Sequence, residues 1–201
     1  MNFLAHLVLA GADEDLRMGA MLGDFVRGRE ALQSFEPPVQ TGILLHRRID
    51  AFTDALPEIV GLRAWFPDRF RRYAGIVIDL GLDHELAMGW DRTGLAPLEE
   101  FDAGVRSMLR RRAEEVPPKL RRFMDYADRR GLFAAYRDAA EILHSLRGIG
   151  RRLSRPNPLH QVDEIWDAFE RRVGACFQPV FDQVQSDVAA WLKSKSTTTG
   201  S

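Results

Sequence analysis

Apolar residues recur along most of this chain at intervals of three and four positions, which places them on one face of an α-helix. Alternating runs of β-branched residues, which would indicate strands, are few. Proline and glycine divide the helical pattern into segments. The predicted helices cover 13–27, 39–55, 58–65, 68–90, 98–115, 119–129, 132–147 and 160–192. The sequence therefore predicts an all-α fold, a bundle of about seven or eight helices.

The length of 201 residues suits a single domain, which we expect to cover residues 1–192. Residues 193–201, KSKSTTTGS, are polar and show no helical periodicity. We expect this tail to be disordered.

The net charge of −1 conceals an uneven distribution of charge. Residues 106–155 contain 14 Lys and Arg against 6 Asp and Glu, a balance of +8, whereas the rest of the chain carries 14 against 23, a balance of −9. Such a basic segment predicts either an anionic partner or a solvated, arginine-rich helix face.

Several protein classes are disfavoured by the sequence. No apolar run approaches the ~18 residues of a membrane-spanning helix, and no basic residues precede the apolar run in MNFLAHLVLAGADEDL, as they would in a signal peptide. Cys176 is the sole cysteine, so an internal disulfide or a thiolate metal cluster is excluded. A glycine-rich phosphate loop is also missing. We expect a cytoplasmic protein without membrane or nucleic-acid partners.

The segment GIVIDLGLDHELAMGW, residues 75–90, places three ionisable groups among apolar residues: Asp79, Asp83 and His84. A buried carboxylate costs several kcal/mol unless a partner neutralises it. Asp79 and Asp83 are four positions apart and share one face of the predicted helix, so their like charges repel. A divalent cation would remove that conflict, with His84 reaching the same ion from the flank.

Three more apolar segments carry inward-facing ionisable groups: His6 in FLAHLVLA, Asp24 in AMLGDFV, and the pair His46 and Asp50 in GILLHRRID. Asp and His from several helices predict a mixed nitrogen and oxygen site suited to Mn²⁺, Mg²⁺, Fe²⁺ or Zn²⁺. Each residue also has a structural interpretation. His6 suits a core histidine bonded to a carbonyl, Asp24 a partner of an arginine, and His46 with Asp50 an ordinary helical pair.

Arg27, Arg47 and Arg48 lie close in sequence to these groups. Arginine beside a divalent cation is a common arrangement for binding phosphate, because the guanidinium forks onto oxygens that the metal does not hold. The alternative is that these arginines only pair with aspartates.

Five segments, in order and spacing, resemble the acyl carrier protein phosphodiesterase family over about residues 1–190: MNFLAHL, GDFVRG, HRRIDAFTD, LDHELAMGW and GIGRRLSRP. The resemblance implies an all-helical relative of the HD-type metal phosphohydrolases. It also implies hydrolysis of the phosphodiester between 4′-phosphopantetheine and a serine of acyl carrier protein, with Mn²⁺ as the activator. Asp83-His84 reverses the usual His-Asp order of the HD motif.

Together, the resemblance and the residue chemistry predict a site with assigned roles. The predicted metal ligands are Asp24, His46, Asp79, Asp83 and His84. His6 is the predicted acid for the leaving serine, and Asp50 orients a histidine or a ligand. Arg27, Arg47 and Arg48 would bind the phosphate.

Acyl carrier proteins are acidic, so the basic segment is expected to dock the substrate. The predicted docking residues are Arg110, Arg111, Arg112, Arg121, Arg122, Arg151 and Arg152.

Two other functions fit the same residues. One is an HD-type phosphohydrolase acting on a nucleotide or another small phosphodiester. The other is a non-catalytic helical binding module in which the inward acids form a structural network of ion pairs. The sequence leaves the oligomeric state open.

Overall fold

The computed structural model describes residues 1–122, 125 and 133–198, the last three as backbone only. Within these residues the chain forms α-helices joined by short 3₁₀ turns, and contains no strand. The helices are α1 (Phe3–Leu9), α2 (Glu14–Leu22), α3 (Arg29–Gln33), α4 (Pro37–Ala55), α5 (Pro57–Trp65), α6 (Asp68–Arg71), α7 (Ala74–Met88), α8 (Leu98–Arg111), α9 (Ala139–Arg152) and α10 (Trp166–Thr198). The predicted all-α class is confirmed.

Helix α7 lies at the centre of the molecule and packs against α1, α5, α9 and α10. It is buried on nearly all faces, which explains why its sequence is apolar without a polar stripe. Helix α1 is buried in the same way and is only seven residues long. A segment this short shows too few turns for helical periodicity, so the sequence pattern did not predict it.

Helices α2 and α4 form the closest pair, because glycines meet at their crossing. A Cβ atom on Gly19 would lie 2.3 Å from the carbonyl oxygen of Val39 and 2.5 Å from the Cα atom of Gly42. Only glycine allows such an approach of two backbones. The contact brings the C-terminal end of α2 against the side of α4, where the ionisable residues of both helices face each other.

Several predicted boundaries were wrong. The predicted helix 68–90 is two helices, α6 and α7, and the predicted helix 13–27 ends at Leu22. The last helix continues through residue 198, so residues 193–198 of the expected disordered tail are helical, with the Lys195 ammonium over the Trp191 ring. Parts of the predicted helices 119–129 and 132–147 lie outside the described residues.

No helix within the described ranges combines the length and the apolar character needed to cross a membrane.

Candidate active site

Four ionisable side chains converge where α1, α4 and the turn after α2 meet. Asp50 Oδ1 lies 3.0 Å from His6 Nε2, and Asp50 Oδ2 lies 3.2 Å from His46 Nε2. Asp24 Oδ1 is 3.5 Å from the same nitrogen of His46. We refer to His6, Asp24, His46 and Asp50 as the Asp–His cluster.

The backbone before Asp24 fixes the orientation of His46. The His46 ring nitrogen Nδ1 lies 2.8 Å from the carbonyl oxygen of Ala20. Because a carbonyl oxygen can only accept, Nδ1 carries a hydrogen and donates it. The ring then lies directly against Gly23, where a Cβ atom would be 2.1 Å from His46 Cγ. In this orientation the other ring nitrogen, Nε2, faces the carboxylates of Asp24 and Asp50. A histidine that donates from one nitrogen to a carbonyl and directs the other at a site is common among metal ligands.

His6 is held in a different way. Its Nε2 is 3.0 Å from Asp50 and 3.1 Å from the carbonyl oxygen of Met1; both partners accept, so Nε2 carries the hydrogen. The ring stacks on His46, with centroids 3.9 Å apart. Burial lowers the pKa of His6 to about 4, outweighing the hydrogen bond to Asp50, so this histidine is neutral at pH 7.

His46 has the opposite electrostatic character. Burial alone would lower its pKa, but the adjacent carboxylates of Asp24 and Asp50 raise the pKa to about 9. For Asp50, burial raises the pKa, yet the adjacent His46 ring and the hydrogen bond from His6 shift it well below its usual range. The cluster therefore holds one positive charge between two carboxylates in its metal-free form.

The geometry of the cluster suits a divalent cation. One atom from each of His6, His46 and Asp50 lies within 4.8 Å of the others. Two ligands each about 2.0–2.3 Å from one ion lie about 3.0–3.5 Å apart, the range of the separations around Asp50 and His46. His46 Nε2 is also buried and makes no well-aligned hydrogen bond. A cation there would satisfy this nitrogen and both carboxylates.

Asp24, His46 and Asp50 line an open cavity of about 360 Å³, together with Arg27 and Arg47. The Asp24 side chain is 60% exposed and that of Asp50 40%, so both are accessible from this cavity. His6 is 1% exposed and does not line the cavity. It lies on the buried side of Asp50 and is linked to the site through the hydrogen bond to that carboxylate.

Asp79 borders the cluster through the chain terminus. The buried amino group of Met1 donates to Asp79 Oδ1 at 2.9 Å and lies 3.6 Å from Asp50 Oδ1. Burial opposes the charge of this amine, but the nearby carboxylates raise its pKa, so it is a cation. The amine pairs with Asp79, although burial still raises the pKa of this carboxyl above its usual value.

The structure does not bring Asp83 into the cluster. Its two oxygens accept from the backbone N–H groups of Leu4 and Ala5, at 2.8 and 3.1 Å. These are amides at the start of α1, which a carboxylate satisfies in the manner of a helix cap. Burial raises the pKa of Asp83 to about 7, even though these two bonds favour the charged form.

His84 lies on another side of α7, because successive residues of a helix are about 100° apart. Its Nδ1–H donates to the carbonyl oxygen of Tyr136 at 2.6 Å, and its Nε2 is 3.0 Å from Glu170 Oε1. The structure therefore does not assemble the five predicted ligands around one point. It brings Asp24 and His46 together, adds Asp50 and His6, and places Asp83 and His84 elsewhere.

The three predicted phosphate-binding arginines are also separated. Arg47 reaches the site cavity, where its Nη2 donates to the carbonyl oxygen of Val26 at 2.7 Å, and Arg27 lines the same cavity. Arg48 points away and forms a bidentate ion pair with Asp187 of α10, at 2.6 and 2.7 Å. The structure thus excludes Arg48 from the cavity.

The predicted docking arginines divide into three groups. Arg111 and Arg112 bind Glu14 and Asp15 at the first turn of α2, each at 2.6 Å, and tie α8 to α2. Arg121 donates to the carbonyl oxygen of Ala113 at 2.9 Å, and Arg110 lies near the exposed end of α8. The remaining residues, Arg122, Arg151 and Arg152, line a second cavity together with Lys119.

Two contributors to the site were missed at the sequence level. One is the Met1 amino group, because no sequence pattern predicts that this amine is buried. Gly23 lies in the quoted segment AMLGDFV, but nothing in one sequence indicates that a histidine ring occupies the space of its absent side chain.

The chain belongs to a family of phosphodiesterases. The family model described as acyl carrier protein phosphodiesterase matches residues 1–184, so the chain is a member of that family. Among its relatives, acyl carrier protein phosphodiesterase of Escherichia coli O45:K1 (strain S88 / ExPEC) is 36% identical over 188 residues, which cover 91% of this chain and 97% of the relative.

The protein of the same name from Escherichia coli (strain K12 / DH10B) is 38% identical over 177 residues, covering 86% of this chain and 91% of the relative. No solved structure matches the chain significantly. The resemblance noted from the sequence segments is confirmed at the level of the family.

Proposed function

We propose that this protein hydrolyses the phosphodiester between 4′-phosphopantetheine and a serine of acyl carrier protein, using a divalent cation bound at the Asp–His cluster. Relatives that span nearly the whole chain carry the name of that activity. The observation that carries the proposal is the position of Asp24, His46 and Asp50, which share one open cavity with two arginines. A divalent cation beside arginines suits phosphodiester hydrolysis, because the cation can polarise a phosphoryl oxygen while the arginines bind the others.

In our proposal, Asp24, His46 and Asp50 hold the cation, because all three reach the cavity. When bound, a divalent cation lowers the pKa of a water molecule and polarises a phosphoryl oxygen. Mn²⁺ is our expected ion, and Mg²⁺ or Fe²⁺ suits the same set of one imidazole and two carboxylates.

Arg47 and Arg27 are assigned to the diester oxygens. The Arg47 guanidinium has five N–H donors and uses one nitrogen on the Val26 carbonyl, so others remain for an anion. Arg27 is exposed beside it. These two guanidinium groups would offset the negative charge that grows on the phosphoryl oxygens as the bond to serine breaks.

We assign His6 a positioning role instead of the acid role expected from the sequence. The buried Nε2–H donates to Asp50, so His6 fixes the carboxylate that lies between the two histidines. Because burial lowers the pKa of His6 to about 4, the imidazolium form that would act as an acid is scarce at pH 7.

The substrate assignment is tested by comparing diesters. The purified protein with Mn²⁺ is incubated with holo acyl carrier protein and, separately, with cyclic and linear nucleotides. We expect release of 4′-phosphopantetheine with turnover of the nucleotides at least a hundredfold slower. Faster hydrolysis of a nucleotide would favour the alternative hypothesis, a phosphohydrolase that acts on small phosphodiesters.

A further inference from the structure

A second cavity, of about 770 Å³, lies beside the site cavity and is the larger of the two. Its apolar wall combines Phe3, Phe25, Leu80, Tyr136 and Ile149. The rings of Phe3 and Phe25 are nearly parallel, at 4°, with centroids 6.5 Å apart. The volume and the largely apolar wall are typical of a cavity that binds an organic ligand.

The two cavities share a wall. Asp24 and Val26 line the site cavity, whereas Phe25, between them in the chain, lines the second cavity. The N-terminal segment repeats this arrangement, because Met1 contacts Asp50 while Asn2 and Phe3 line the second cavity. A ligand with its phosphate at the Asp–His cluster would therefore lie next to the second cavity, separated from it by this shared wall.

The second cavity also carries positive charge. Lys119, Arg122, Arg151 and Arg152 line it, and none of the described residues that line it is an acid. Within the described part of the chain, no ion pair involves these four side chains. This charge favours an anionic ligand or the acidic surface to which a ligand is attached.

We propose that the second cavity binds the pantetheine arm of the substrate. This inference rests on the proposed function, because it assumes that the phosphate of that arm lies at the Asp–His cluster. Beyond its phosphate, the arm carries two methyl groups, a hydroxyl, two amides and a thiol. The apolar wall suits the methyl and methylene groups, and Asn2, His144 and Ser145 offer hydrogen bonds to the polar ones.

Gly148 of α9 keeps this cavity open. It lies on the cavity wall, and a Cβ atom there would be 3.7 Å from Arg152 Nη1, an ordinary contact. A larger side chain at this position is compatible with the helix, since leucine has a higher helix propensity than glycine. Gly148→Leu should narrow the cavity and preserve the fold. Gly104→Leu is the matched control, because Gly104 lies in α8 with open space around it.

The test is calorimetric titration of the purified protein, in buffer containing Mn²⁺, with 4′-phosphopantetheine and separately with inorganic phosphate. Neither ligand contains the diester, so binding is measured without turnover. We expect the wild type and Gly104→Leu to bind 4′-phosphopantetheine about tenfold or more tightly than phosphate. In Gly148→Leu this preference should fall to about threefold or less. Ser145→Leu, three residues away on the same helix face, should have the same effect.

Equal binding of the two ligands by the wild type would overturn the proposal, and so would a full preference in both Gly148→Leu and Ser145→Leu. Failure of the proposed function gives a different result. In that case holo acyl carrier protein would keep its prosthetic group, whichever way the titration comes out.

Discussion

The carboxylate of Asp50 lies between the imidazoles of His6 and His46, with one oxygen 3.0 Å from His6 and the other 3.2 Å from His46. The two rings are stacked, yet the pKa of His6 is lowered and that of His46 is raised. Asp50 thus links a buried, neutral histidine to a histidine that faces the cavity. We expect this carboxylate to be the residue on which the site depends most.

Asp50→Asn should reduce kcat/KM for holo acyl carrier protein by about a hundredfold or more. The amide keeps the shape but loses the charge that a cation and His46 both require. The helical circular dichroism spectrum should not change. Asp54→Asn, one turn further along α4, is the control, because Asp54 is exposed and pairs only with Arg63 among the described residues. Equal losses in the two variants would count against a special role for Asp50.

The pH dependence of the metal-free protein should reveal His46. Its folded-state pKa, about 9, is above the value of 6.5 for an unperturbed histidine. The protonated form is therefore favoured by folding, and its contribution to stability is complete below pH 6.5 and lost as the pH rises from 6.5 through 9. The difference in unfolding free energy between wild type and His46→Gln, measured in chelator, should shrink across that window. A constant difference would contradict the raised pKa.

Gly23→Ala should disrupt the site with little change elsewhere. The new methyl group would lie 2.1 Å from His46 Cγ, so the ring must move. A displacement of about 1 Å in a catalytic group can cost about a hundredfold in rate. Steady-state hydrolysis of holo acyl carrier protein measures this effect. Gly104→Ala, at a position with open space, should retain wild-type activity.

Arg47 and Arg48 are neighbours in sequence but should differ in their effects. Arg47→Ala should lower kcat/KM for the diester, because Arg47 lines the site cavity. Arg48→Ala should leave the rate unchanged and lower the free energy of unfolding by about 1 kcal/mol, because Asp187 loses its bidentate partner. Denaturant titrations alongside the kinetics separate the two effects. If Arg48→Ala lowered the rate and Arg47→Ala did not, the roles assigned to the two arginines would have to be exchanged.

The salt dependence of KM should be carried by the arginines of the second cavity. Arg151→Ala with Arg152→Ala should raise KM at low salt and flatten its increase with salt. Arg111→Ala with Arg112→Ala should mainly lower stability, since these residues bind Glu14 and Asp15. If both pairs changed the salt dependence equally, docking would not be confined to the second cavity.

Sequence spacing predicted local relationships better than contacts between distant segments. His46 and Asp50 are four residues apart on one helix, and they do meet in the structure. The same reasoning placed Asp79 and Asp83 on one stripe, but it could not foresee that the N-terminal segment supplies a partner for each of them. Met1 binds Asp79 and the amides of α1 bind Asp83, through contacts that cross nearly eighty positions of the chain.

His84 illustrates a second limit. Its neighbour Asp83 faces α1, so a helical rotation of about 100° directs His84 towards Tyr136 and Glu170 instead. Proximity in sequence was mistaken for proximity in space. The cluster that does form depends on the close crossing of α2 and α4, which Gly19 and Gly42 allow and which periodicity alone does not reveal.

The most direct test of the account is intact-mass spectrometry of holo acyl carrier protein after incubation with the wild-type protein and with Asp50→Asn, each in Mn²⁺ or in EDTA. We predict that the carrier loses the mass of its 4′-phosphopantetheine group only with wild type and Mn²⁺. Loss of that mass in EDTA, or with Asp50→Asn at the wild-type rate, would contradict metal-dependent hydrolysis at the Asp–His cluster.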